Sequence, residues 1–219
     1  MLIIFDLDDT LIDTTKKLTP IIFHKTLKLL IEKGLKVEDE NLAYQQILKI
    51  DKTSVGSNQT IKKFLYDLGA NKIFIDIAYK SMQSPIDSDI KIFTLPNALE
   101  TLKHLSNYHS LALVSFGDIK FQFDKMEKAG IDTALFSKIA ITKLANKGFY
   151  YKQIMDELGY RSNNTYVIGD KIDGDLLPAK KLGCTTINMK NLRIQKENKN
   201  CVDFWVNSLE EVKKILDEK

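Results

Sequence analysis

The stretch MLIIFDLDDTL, Met1 to Leu11, decides how the rest of the chain is read. Leu2 to Phe5 is an unbroken apolar run of strand length, the pattern of a strand buried on both faces. It stops at Asp6, and Asp8 and Asp9 follow at once. Carboxylates at the end of a buried strand are costly unless they are paired or hold a cation. Asp6 and Asp8 are two residues apart, so in an extended chain their side chains share a side. Two carboxylates facing one crevice repel unless a divalent cation or a proton lies between them.

The same grammar recurs downstream. The apolar run SLALVS, Ser110 to Ser115, reads as a second strand, and NTYVIG, Asn164 to Gly169, as another that stops at Asp170. Lys138–Thr142, Cys184–Asn188 and Asp203–Val206 read as further strands. Helical patterns separate them, at Pro96 to about Leu105, Lys120–Ala129, Phe149–Leu158 and Asp175–Leu182. A terminal helix follows Ser208, with Glu211 three residues on completing a capping box. Strands alternating with helices of this length imply an α/β fold with a Rossmann-like parallel sheet core. In such sheets ligands bind beyond the carboxyl ends of the strands, where Asp6, Ser115 and Asp170 all fall.

Residues 14–90 break the alternation with helices only. Thr19 and Pro20 suit an N-cap and first helical position. Ile22, Phe23, Leu27, Leu30 and Ile31 suit one helix face; Leu42, Ile47 and Leu48 a second. Ile61, Phe64, Leu65 and Leu68 suit a third, and Ile73, Ile77, Tyr79 and Met82 a fourth. A block with its own amphipathic faces reads as an inserted helical subdomain. The expected organisation is therefore a core of residues 1–13 and 91–219, with an all-helical cap at 14–90.

Composition fits an ordinary soluble globular protein. The chain has 219 residues, 44% hydrophobic and 28% charged, with a net charge of +3. No basic stretch is interleaved with aromatics, so nucleic acid is not an expected partner. The opening apolar run is too short for a membrane span or a signal-peptide core. Cys184 and Cys201 lack metal-ligand spacing and suit buried free thiols in a reducing cytoplasm. A homodimer is compatible with this composition.

Oxygen ligands at a strand end, with Asp170 as a third acid, suit Mg²⁺. A metal-held aspartate can attack phosphorus, and a neighbouring carboxylate can protonate the leaving oxygen and then activate water. In Ser115-Phe116-Gly117 a hydroxyl and backbone N–H groups can hold phosphate oxygens. Lys147, before a helix, can neutralise phosphate charge; Lys143 is the alternative lysine. Asp173 and Asp175 both follow Asp170 as candidates for a further acid.

In this combination the chain resembles the haloacid dehalogenase-like superfamily of hydrolases over essentially its full length. The D-x-D-x-T motif stands as Asp6-Leu7-Asp8-Asp9-Thr10, the serine after a hydrophobic strand as Ser115, the lysine as Lys147, and the last motif as Gly169-Asp170 with Asp175. Gln122 through Lys125 to Gly130 also looks like the helix that follows the serine in that family. The resemblance implies Asp6 as nucleophile and Asp8 as general acid/base. It implies Mg²⁺ on Asp6, the backbone carbonyl of Asp8 and Asp170, with Asp175 orienting Lys147 or a metal-bound water. Ser115 and Lys147 would bind the phosphoryl group. Dehalogenases of the family lack the second aspartate as acid/base, so Asp8 points to a phosphatase of a small phosphorylated metabolite. A phosphomutase acting on a phosphosugar, and a non-catalytic binding module of the same fold, are the rival readings.

Overall fold

The computed structural model describes residues 1–144, 146–190 and 199–218. Over these residues the chain divides into two compact units, one of residues 1–14, 86–144, 146–190 and 199–218, the other of residues 15–85.

The larger unit is built on a six-stranded sheet, all of whose pairings are parallel. Its strands are β1 (Leu2–Phe5), β2 (Ser110–Phe116), β3 (Phe136–Thr142), β4 (Thr165–Gly169), β5 (Thr185–Met189) and β6 (Phe204–Val206), in the order β3-β2-β1-β4-β5-β6. The apolar run at the chain start therefore becomes the middle of the sheet, and its four residues are fully buried. Strand order reverses at β1, the position where open α/β sheets form their ligand crevice. Phe5 pairs with Leu113 of β2 and Ile168 of β4. The next residues along the three strands are Asp6, Val114 and Gly169, so Asp6, Ser115 and Asp170 emerge together at one edge.

In the smaller unit, α1 (Thr19–Glu32), α2 (Glu40–Asp51), α3 (Ser57–Asp67) and α4 (Ile73–Met82) enclose a core of their own. Phe23, Leu27, Leu30, Ile47, Ile61 and Phe64 are fully buried within it. Several sequence expectations are corrected here. Thr19 is the first residue of α1 rather than its cap, because a wide helical turn over Thr14–Leu18 leads straight in and Leu18 takes the cap position. Leu42 and Ile73 are 69% and 59% exposed. Both lie in the first turns of their helices, and the buried stripes run instead through Ala43, Ile47 and Ile50 and through Ile75, Ala78 and Met82. Leu68 is exposed as well, just past the end of α3.

In the larger unit the chain continues through α5 (Ala98–Ser106), α6 (Ile119–Lys128), α7 (Gly148–Leu158), α8 (Leu177–Lys181) and α9 (Leu209–Asp217). Tyr151, Ile154 and Met155 of α7 and Ala179 of α8 bury Leu2, Ile4, Ala112, Val114 and Val167. α5 packs on β2 and against α9. α5 starts at Ala98 after a left-handed Asn97 (φ 63°), so Pro96 precedes the helix instead of opening it. Ser208 caps α9, accepting from the Glu211 N–H at 3.2 Å.

The larger unit also carries a short neck where the helical insert departs and returns. Asp13 N–H donates to Phe93 O at 2.9 Å and Leu95 N–H to Leu11 O at 2.8 Å, around an antiparallel bridge of Ile12 with Thr94. Beside it, Ile86 N–H donates to Asp124 Oδ2 at 2.8 Å, and the Lys128 ammonium donates to Ile86 O. Among the described residues no helix is long and apolar enough to cross a membrane.

Because Ile4 lies at the centre of this core, Ile4→Ala should lower unfolding stability by about 2–5 kcal/mol. Urea titration followed by circular dichroism measures it, with the m-value unchanged.

Candidate active site

The site begins where β1 ends. Asp6 N–H still follows the ladder, donating to Ile168 O at 2.9 Å, so its side chain leaves the sheet directly beside β4. The chain then folds back on itself. Leu11 and Ile12 N–H groups both donate to Leu7 O, at 2.9 and 3.0 Å, and Asp9 takes a left-handed φ of 58° to make the turn. Aspartate is among the few residues that adopt that conformation at modest cost.

Asp6, Asp170 and Asp175 are all buried, and one carboxylate oxygen from each lies within 4.8 Å of the others. Lys147, also buried, bridges two of them, with its Nζ 2.5 Å from Asp6 Oδ1 and 2.6 Å from Asp175 Oδ1. Asp175 Oδ2 accepts from the Lys171 N–H at 3.0 Å. This tight nesting requires Gly169, since a Cβ there would sit 2.6 Å from the Asp175 Cβ. The alternative residues lie elsewhere: Lys143 and Asp173 are both exposed.

The electrostatics are those of crowded acids out of water. Burial pushes the Asp6 carboxyl up to about 6, with Asp175 and Asp8 adding to the rise and Lys147 and Lys171 opposing it. Burial likewise raises Asp170 well above the carboxylate range, against Lys171 and with help from Asp6 and Asp175. Burial works against the Lys147 ammonium, yet Asp175 and Asp6 hold its pKa well above the ordinary lysine value. Three close oxygens from carboxylates, more negative charge than Lys147 and Lys171 balance, are the donor chemistry that a hard divalent cation such as Mg²⁺ takes. The residues present therefore fit the metal that the sequence suggests.

Asp8 faces different company. Its Oδ1 accepts from Thr14 Oγ1 at 2.6 Å and is ion-paired with Lys125, and its Oδ2 accepts from Gln122 Nε2 at 3.0 Å. Burial alone would raise the Asp8 pKa, but Lys125 and the hydrogen bonds from Lys125, Thr14 and Gln122 hold it well below the usual carboxylate range. Its side chain is not among the three clustered carboxylates.

Ser115 is buried at the end of β2, and its Oγ lies 2.6 Å from Gln122 Nε2. The neighbouring turn differs from expectation. Gly117 N–H donates to Thr142 O at 2.9 Å, and Phe116 O accepts from Gln122 at 2.9 Å. The Gly117 amide thus continues the β2–β3 pairing, so it is not a free donor for phosphate. Phe116 is 46% exposed.

Sequence reasoning noted Gln122 and Lys125 only as part of a familiar helix, and it missed Thr14 as a partner of Asp8. Gln122, Lys125 and Met126 are the buried residues of α6, at positions i, i+3 and i+4. Polar residues in the buried stripe of a short helix were the available signal.

A family model described as haloacid dehalogenase-like hydrolase matches residues 1–183. Glyceraldehyde 3-phosphate phosphatase of Methanocaldococcus jannaschii is 25% identical, over 98% of this chain and 96% of that protein. The enzyme of the same name from Pyrococcus furiosus is 24% identical, over 98% and 92%. Among solved structures, a protein described as a predicted phosphoglycolate phosphatase from Haemophilus somnus superposes with a TM-score of 0.73 at 18% identity, over 98% of this chain and 97% of that one. A Bacillus subtilis hydrolase solved with bound magnesium superposes at 0.69 and 16%, over 99% and 98%. These structural likenesses establish the shared fold.

Asp6 and Asp170 bind protons more tightly folded than unfolded. Stability without metal should therefore fall as pH rises from about 4, the unfolded carboxylate value, through the Asp6 value of about 6 and on through the raised Asp170 value. Asp170→Asn should flatten that fall. It should raise the metal-free melting midpoint at neutral pH by roughly 2–4 °C, the effect of about 1 kcal/mol in a chain this long. Magnesium should raise the melting midpoint of the wild type and leave that of the variant unchanged. Melting curves in EDTA and in magnesium read both effects.

Proposed function

The chain belongs to the haloacid dehalogenase-like hydrolase family, and from that premise we propose that it is a phosphatase of a small phosphorylated metabolite. The observation that carries the proposal is the buried constellation of Asp6, Lys147, Asp170 and Asp175 at the carboxyl ends of β1 and β4, in the same unit as Ser115 and Asp8. The phosphatases among its relatives support the reaction class.

In this reading Asp6 attacks phosphorus and forms an aspartyl-phosphate, while Asp8 gives a proton to the departing alcohol oxygen. Asp8 then takes a proton from water, whose oxygen attacks the same phosphorus and frees Asp6. Lys147 offsets negative charge on the transferring group, and Asp175 keeps that ammonium oriented. Ser115 offers its hydroxyl to a phosphoryl oxygen. Mg²⁺, held by Asp6, Asp170 and the Asp8 carbonyl, would supply further positive charge against the phosphoryl oxygens. Positioning and charge neutralisation are most of what phosphoryl transfer requires.

The helical unit is assigned the role of a cap that selects the alcohol portion of the substrate. Glyceraldehyde 3-phosphate, the substrate in the names of the relatives, is the first ester to test. The cytoplasm is the proposed compartment, in keeping with two buried cysteines, Cys184 and Cys201, that form no disulfide among the described residues.

The wild type with Mg²⁺ should release inorganic phosphate from glyceraldehyde 3-phosphate or another small ester. Asp6→Asn should reduce the rate by at least about 10³-fold while keeping the fold. A phosphate-release assay over a panel of esters checks this. Interconversion of two phosphosugars with little free phosphate would instead mark a mutase.

A further inference from the structure

α6 inverts the usual division of an amphipathic helix. It buries Gln122, Lys125 and Met126, while Phe123 is 42% exposed. Packing does not account for this, because apolar residues in place of a buried ion pair are often neutral or stabilising. Both polar residues are directed at Asp8: Lys125 pairs with Oδ1 and Gln122 Nε2 donates to Oδ2 at 3.0 Å. Gln122 Nε2 also reaches Ser115 Oγ at 2.6 Å and Phe116 O at 2.9 Å. A serine oxygen that accepts from an amide keeps its own hydrogen for another acceptor. Among the described residues Gln122 Oε1 is buried without a hydrogen-bond partner, so the side chain is not placed to satisfy both of its own ends. Gly117 makes the room, since a Cβ there would lie 3.1 Å from Gln122 Nε2.

We propose that Lys125 and Gln122 are positioning residues for phosphoryl transfer. Lys125 fixes the Asp8 carboxyl group for proton delivery to the leaving oxygen, and Gln122 ties that group to the Ser115 hydroxyl. The inference rests on the reading of Asp6 as nucleophile and Asp8 as acid/base. A proton that Asp8 takes up from solvent as the anionic ester binds passes to the alkoxide as the Asp6–phosphorus bond forms and the phosphorus–alkoxide bond breaks. Hydrolysis returns a proton from water to Asp8. Lys125 and Gln122 exchange no proton; they determine where the carboxyl group stands when the transfer occurs.

The dependence on leaving group tests this, because an ester with a good leaving group needs little help from an acid. The full chain with Mg²⁺ is assayed on aryl phosphates from 4-nitrophenyl to phenyl and on an alkyl phosphate. The readout is kcat/KM, which reports only steps up to departure of the alcohol when that step is irreversible. Lys125→Met should lose about 30- to 100-fold on the alkyl ester and less than about 5-fold on the 4-nitrophenyl ester. Lys125→Arg, which keeps the cation, should recover most of the alkyl activity. Gln122→Met should steepen the same dependence and also raise KM, because Ser115 loses its donor. Equal losses on good and poor leaving groups in both methionine variants would overturn the inference while leaving the phosphatase reading intact. If Lys125→Met fails to fold, the Gln122→Met dependence alone decides. A wild type inert on every ester would overturn the phosphatase reading, and this inference with it.

Discussion

The carboxyl end of the sheet depends on one buried ammonium. Asp6, Asp170 and Asp175 lie close enough to repel one another strongly, and Lys147 touches two of them. Charges of one sign in a medium of low polarity cannot be held together by packing alone. The arrangement accepts a large local cost in exchange for a place where further positive charge is welcome. A phosphoryl group needs such a place, because its transfer redistributes negative charge over several oxygens.

The rest of the fold delivers those groups to one point. Four apolar residues make β1 the middle of the sheet, and parallel pairing brings β2 and β4 level with it. Each strand then releases a polar residue at the same edge. Asp8 lies beyond that edge, held by Thr14, Gln122 and Lys125. Two neighbouring carboxylates are thus driven in opposite directions. Asp6 is pushed up by burial, whereas Asp8 is pulled down by a cation and hydrogen-bond donors. The proposed roles need the reverse occupancy, Asp6 ionised and Asp8 protonated, which a cation on Asp6 and an anionic phosphoryl group beside Asp8 would favour.

Much of this was legible in the chain itself. Apolar runs that end in Asp6, Ser115 and Asp170 announced the strands and the edge, because burial and polarity alternate sharply there. Pairings made by residues distant in sequence were not legible. Lys125 sits 117 positions from Asp8, and nothing local to either marks the contact. The Gly117 amide read as a free donor because its partner, Thr142, belongs to another strand. Leu42 and Ile73 misled for a different reason. Apolar residues in a first helical turn satisfy the periodicity, yet the buried stripe begins one or two residues later.

The neck at residues 11–13 and 93–95 has an evolutionary consequence. Its hydrogen bonds fix the two ends of the inserted segment side by side, whatever lies between them. The entropy of closing a loop grows only slowly with length, by about 0.6 kcal/mol per doubling. An insertion anchored this way can lengthen, shrink or be exchanged wholesale at little thermodynamic expense to the sheet. With the helical unit as the proposed cap, substrate preference would diversify in one segment while the proposed reactive groups, carried by the other, stay under separate selection.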